Sequence, residues 1–160
     1  MEFLVGRPIS SFKPICPPFF VPGRPAPAGS KRMFLNRKTG KPTVVPDSKY
    51  QKPWMDSVRA RAIEIFAGRP LLTGPLALYI RFIIQRSKGH YGTGRNAGTL
   101  KAAAPPFPTV KPDNVKLARG TEDALTGVVW RDDSQVVLHG IEKIYGDRLG
   151  AWIAIYRFDP

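Results

Sequence analysis

Residues 111 to 137, KPDNVKLARGTEDALTGVVWRDDSQVV, hold Asp113, Glu122, Asp123, Asp132 and Asp133, five carboxylates in a chain whose formal net charge is +13. On a helical wheel at about 100° per residue, Leu117, Thr121, Ala124 and Leu125 fall on one side as a buried stripe. A helix is therefore expected over roughly 114–126, ended by Gly127. Lys116, Arg119 and Asp123 cluster on another arc. Asp113 stands at the helix start, where a carboxylate complements the helix dipole. Asp132 and Asp133 come at the mouth of a strand, SQVVLHGIEKIY (134–145), expected to bend at Gly140. Gly146-Asp147 reads as a turn, and the alternating AWIAIYRF (151–158) as the hairpin partner of that strand.

The rest of the chain supplies the other layers. Trp54, Val58, Ala62 and Ile65 recur at helical spacing from Pro53 to Phe66, and Gly68-Arg69-Pro70 stops the element. LALYIRFII (76–84), rich in β-branched and aromatic residues, reads as a largely buried strand. FFVPG (19–23) is a first strand stopped by Pro22. PAPAGSKR (25–32), with Lys31 and Arg32, is a basic proline-rich loop, and MFLN and TVVP around RKTGKP suggest a small hairpin. Residues 1–16 read as an irregular extension and 17–160 as one domain. Residues 86–112 are too long and too rich in Gly and Pro for an ordinary connection. They carry Arg86, Lys88, Arg95, Lys101 and Lys111 and no acid, which fits either a solvated insertion or a mobile arm that touches phosphates. Together these elements predict a single-domain α+β fold, a mixed β-sheet with packed helices.

The 160 residues suffice for one core, and a hydrophobic content of 42% argues for a folded chain. The excess positive charge calls for a polyanionic partner, nucleic acid before an anionic membrane surface. Cys16 is the single cysteine, so an internal disulfide and a Cys/His zinc set are excluded, in keeping with a reducing cytoplasm. No apolar run approaches a membrane span, and the N-terminal residues are too broken by proline for a convincing secretion signal.

One turn could bring a helix start and a strand mouth together, and Asp113, Asp132 and Asp133 with them. Oxygen ligands without His or Cys favour Mg2+ or Mn2+. Such an ion activates water and offsets charge in phosphoryl transfer, while a neighbouring Lys or Arg stabilises the charge that develops. Plainer readings stand beside this one. Asp113 could be only an N-cap, Asp123 only the i,i+4 partner of Arg119, and Asp132-Asp133 only a polar turn. His139 reads as a packed or edge residue.

The run KPD-x-x-K-L-x-R-x-x-x-D-A-L-T-G-V-V-W-x-D-D-S-Q-V-V closely resembles the signature of the RusA family of Holliday junction resolvases, common in prophages and bacteria. FFVPGRPAPAGSKR is similar to the family's first strand and basic loop, so the resemblance spans about residues 19–158. It implies a RusA-like fold and a homodimeric, cytoplasmic endonuclease that binds four-way DNA junctions and nicks them with Mg2+, in recombination and repair. By the same resemblance Asp113 and Asp133 match metal-binding positions, with Asp132 beside the latter. Arg119 matches the basic catalytic position and Asp123 the Asp of D-A-L. Lys31, Arg32, Arg86, Lys88, Arg95, Lys101, Lys111 and Lys116 are the expected DNA contacts.

The chain departs from the family pattern at Val115, where a second Asp is expected. Three accounts stay open. Asp123 or Asp132 takes the missing role; a shifted helix start lets Asn114 supply a weak oxygen ligand; or the protein binds junctions, or DNA generally, and cuts poorly or not at all. A basic structural protein of a nucleic-acid complex is a third function class.

Overall fold

The computed structural model describes residues 12–28, 31–46 and 48–158. Their elements run in the order β1 (Phe19–Pro22), β2 (Lys31–Leu35), β3 (Pro42–Pro46), α1 (Gln51–Phe66), β4 (Leu76–Ile84), α2 (Asn114–Leu125), β5 (Val136–Tyr145) and β6 (Gly150–Arg157). A four-stranded mixed sheet has the order β1-β6-β4-β5, and β2 pairs with β3 in a separate antiparallel hairpin. The α+β class read from the sequence is the class observed.

β4 occupies the sheet interior: Leu76, Leu78, Ile80 and Phe82 on one face are fully buried, and the other face mixes Ala77, Tyr79 and Ile83 with the exposed Arg81. It pairs parallel to β5, Ile80 opposite Ile141, and antiparallel to β6, Ile80 opposite Ile153. This corrects the expected hairpin. β5 and β6 run antiparallel but are not partners, since β4 lies between them. Residues 146–149 cross the end of β4, where the Gly146 amide donates to the Ile84 carbonyl at 3.2 Å. β5 continues through Gly140, where a bend is expected, to Tyr145. Gly140 instead makes room for an aromatic ring: a Cβ there would lie 2.2 Å from Tyr79 Cδ1.

Both helices cover one face of the sheet. Trp54, Val58, Ala62 and Phe66 of α1 and Leu117, Ala118, Thr121, Ala124 and Leu125 of α2 are buried. They pack over Leu76, Leu78, Ile80 and Phe82 of β4 and Ile153 and Ile155 of β6. The Trp54 indole N–H donates to Thr121 Oγ1 at 3.2 Å, and that hydroxyl donates to the Leu117 carbonyl at 3.0 Å, joining the helices through a buried polar link. Residues 12–16 run along the sheet: the Ile15 amide donates to the Ile155 carbonyl, and Phe12 stacks on Phe158 at 5.5 Å. The earlier part of that stretch lies outside the described residues.

Candidate active site and nucleic-acid interface

Asp113 immediately precedes α2, and its backbone carbonyl accepts the Leu117 amide at 3.1 Å. Its carboxylate makes no capping hydrogen bond. The side chain is 60% exposed, with Lys116 Nζ at 4.0 Å. The sequence sets α2 against the preceding proline-rich segment through Gly120, where a Cβ would stand 3.1 Å from Ala28 Cβ and 3.3 Å from the Ala26 carbonyl oxygen. The Ala28 amide donates to the Lys116 carbonyl at 2.9 Å, and Ala26 and Ala28 are buried. This close approach carries Arg24 to the start of α2. From the other side, Lys143 Nζ of β5 donates to the carbonyls of Val110 and Pro112, at 2.7 and 2.9 Å. It fixes the chain that enters Asp113.

Asp113 thereby lines a recess of about 270 Å3 together with Arg24, Tyr50, Lys111 and Lys116. The Arg24 guanidinium lies over the Tyr50 ring, 4.3 Å from its centroid. Arg24, Pro25, Lys111 and Pro112 also form the wall of a second recess, about 470 Å3, that continues to Arg86, Lys88, His90 and Tyr145. The two make one trough, lined by five Arg and Lys side chains and one carboxylate. Arg24, Tyr50 and Lys143 were not singled out from sequence. Each belongs to a different element, and only packing brings them together.

Residues 86–112 are folded back on themselves. Arg86 lies over the Tyr145 ring at 4.0 Å and donates to the Pro105 carbonyl at 2.7 Å. Lys101 Nζ donates to the Gly89 carbonyl at 2.9 Å, and the Gly92 amide to Thr99 at 2.9 Å. His90 meets Tyr145 edge-on at 5.6 Å. Lys88 and Arg95 are exposed, as is Lys111 at the trough. The backbone of Lys31 and Arg32 lies in β2, and their side chains lie outside the described residues.

The other expected site residues stand elsewhere. Arg119 is exposed on α2, about 9 Å along the axis from Asp113 at ~1.5 Å per residue. Asp123 is exposed one turn further, and among the described residues no ion pair joins it to Arg119. Glu122 instead meets His139 Nε2 of β5 at 2.5 Å. Asp132 caps a short 3-10 turn: its Oδ1 accepts the Ser134 amide at 2.9 Å, and Gln135 Oε1 accepts the Asp132 amide at 3.2 Å. Hydrogen bonds from Ser134 hold the Asp132 carboxyl below the usual carboxylate range. Asp133 follows, exposed. Gln135 anchors this turn by donating to the Leu72 carbonyl at 2.9 Å, at the N-terminal end of β4.

Asp113 and the Asp132-Asp133 pair therefore lie at opposite ends of α2, whose 12 residues span about 18 Å. Strand β5 tells the same story, with Lys143 beside Pro112, His139 beside Glu122, and Asp133 before the first residue of the strand. Among the described residues of one chain no three Asp, Glu, His or Cys side chains converge to hold a metal. Next to Asp113 the buried Asn114 Oδ1 has no hydrogen-bond partner. The described residues of one chain do not by themselves supply a full carboxylate set for a metal ion.

A two-layer α+β domain with an acidic residue set in a basic trough defines the class of protein as one built to meet a polyanion. The chain belongs to the RusA family: the family described as Endodeoxyribonuclease RusA matches residues 22–156. The family so described is one of endodeoxyribonucleases, enzymes that act on DNA. No curated protein matches the chain. Among the described residues no helix is long and apolar enough to cross a membrane.

Proposed function

We propose that this protein is a homodimeric Holliday junction resolvase that uses Mg2+ or Mn2+ and nicks four-way DNA junctions in recombination and repair. The observation that carries the reading is the Asp113 carboxylate, uncommitted to capping and set among Arg24, Lys111 and Lys116. Cations of the trough hold the phosphate backbone, and a carboxylate within that field is positioned for metal-assisted hydrolysis. Because Asp113 and Asp133 are a helix length apart, each site is shared by two copies. A two-fold axis that sets one α2 antiparallel to the other brings Asp113 of one copy beside Asp133 of its partner. The pair of carboxylates would hold the ion, with Asn114 able to add an oxygen and Asp132 keeping the Asp133 turn in shape. The ion would supply a polarised water and offset charge on the phosphate. Arg119 and Asp123, on the exposed face of α2, then fall between the two helices. Lys88, Arg95, Lys101 and Arg86 extend the DNA contact along the 86–112 loop.

The test is cleavage of an immobile four-way junction with Mg2+ or Mn2+. Asp113→Asn should abolish nicking and keep junction binding, since it removes a ligand but no cation. Cleavage of linear duplex in preference to the junction, or full activity of Asp113→Asn, would contradict the reading. One observation favours a second reading, binding without cutting. Val115, where the family pattern has Asp, is 73% exposed and supplies no oxygen.

A further inference from the structure

The recess at Asp113 is not only electrostatic. One wall is Tyr50, 37% exposed, with the Arg24 guanidinium 4.3 Å from its ring centroid and Lys49 Nζ at 5.1 Å. Tyr50 immediately precedes α1, and its backbone carbonyl accepts the Trp54 amide at 3.1 Å, so the ring is carried on a rigid helix start. Arg24 stands two residues before Ala26, which with Ala28 seats against α2. An exposed aromatic ring and an Arg held beside a phosphate-binding surface form a stacking platform of the kind that takes nucleobases out of a helix. A paired base is covered on both faces by its neighbours and cannot reach such a ring. A base at the crossover of a four-way junction has lost a regular neighbour, so taking it out of the stack costs less there.

Resting on the reading of the protein as a junction nuclease, we propose that Tyr50 and Arg24 form a pocket for one unstacked nucleotide at the crossover. The base lies on the Tyr50–Arg24 platform, and its phosphate is held by Lys111 and Lys116 beside Asp113. The pocket would give the protein preference for branched over linear DNA and would set the register of the scissile phosphate. Phosphate contacts within one arm do not by themselves do this, because the backbone of an arm is spaced as in a linear duplex.

The test is a thermodynamic cycle on the full-length protein with immobile four-way junctions. In one arm each nucleotide flanking the crossover is replaced in turn by an abasic residue. In the other the protein is Tyr50→Ala, with Tyr50→Phe as the conservative variant. Removing the base at one crossover position should weaken wild-type binding about tenfold, and Tyr50→Ala should do the same on the intact junction. The two changes together should be no worse than either alone, and Tyr50→Phe should behave as wild type. Losses that multiply, or a Tyr50→Ala protein that binds the intact junction as tightly as wild type, would overturn the pocket while leaving the nuclease reading in place. A wild-type protein with no preference for the junction would overturn both. Tyr50→Ala keeps the backbone carbonyl that receives Trp54, and an unchanged thermal midpoint separates a lost contact from a lost fold.

Discussion

Asp113 and Asp133 flank α2, one just before its first residue and the other eight residues past its last, with a helix of 12 residues, about 18 Å long at ~1.5 Å per residue, between them. No side-chain motion spans that gap. A Lys143 pinned to Pro112 and a Gln135 pinned to Leu72 keep the two ends where they are. The proposed site therefore takes one carboxylate from each of two copies.

Val115 gives the next prediction. It lies in the first turn of α2, 73% exposed and two residues from Asp113. An acid there complements the helix dipole by about 0.3–1 kcal/mol. Val115→Asp should therefore leave stability unchanged or slightly raised. It should also increase junction cleavage and lower the metal concentration at half-maximal rate, because another oxygen favours a hard divalent ion. Nicking measured across a Mg2+ titration checks this. A mutant with no gain over an already active native protein would show that the missing ligand has been replaced, and Asp123→Asn would then be the damaging change.

Affinity for DNA should fall steeply with salt, by a slope in log–log form of about −0.9 for each phosphate neutralised. Lys88→Gln with Arg95→Gln should flatten that slope without disturbing the fold, because both are exposed. Arg86→Gln and Lys101→Gln should act differently. Their charges also bind the carbonyls of Pro105 and Gly89, so their loss should raise proteolysis within 86–112 as well as weaken binding. Fluorescence anisotropy at several salt concentrations and a limited digest separate the two classes.

Thr121→Val tests the packing that supports the site. Val has nearly the shape of Thr but leaves the buried Trp54 indole N–H without an acceptor, since Trp54 and Thr121 are 1% and 0% exposed. The expected loss is about 1–3 kcal/mol in urea unfolding. A neutral substitution would mean that the indole finds another partner.

Local pattern carried the sequence reading as far as local rules decide. The buried stripe of α2, the run from Leu76 to Ile84 and the stop at Gly127 follow from helical spacing, β-branched content and a glycine at φ +78°. Strand order did not follow. AWIAIYRF reads as the hairpin partner of the preceding strand because the turn between them is short, yet β4 takes the place between them. For the site, the residue types were legible and the distances were not. One turn between helix and strand suggests that Asp113 and Asp133 meet, but the turn lies at the far end of the helix from Asp113. Arg24, Tyr50 and Lys143 have no signature in their own neighbourhoods. They reach Asp113 through the Gly120–Ala28 contact and the sheet register.

The shared site is tested most directly by mixing two inactive proteins. Asp113→Asn and Asp133→Asn should each fail to nick an immobile four-way junction. Unfolded or dissociated together and allowed to reassociate, they form mixed dimers in which one site carries both substitutions and the other carries neither. Nicking should return, one strand at a time, at about half the wild-type number of sites in each mixed dimer. If each site were built within one chain, every site in the mixture would still lack a carboxylate. Nicking absent from the reassociated mixture, with junction binding intact, would contradict the account.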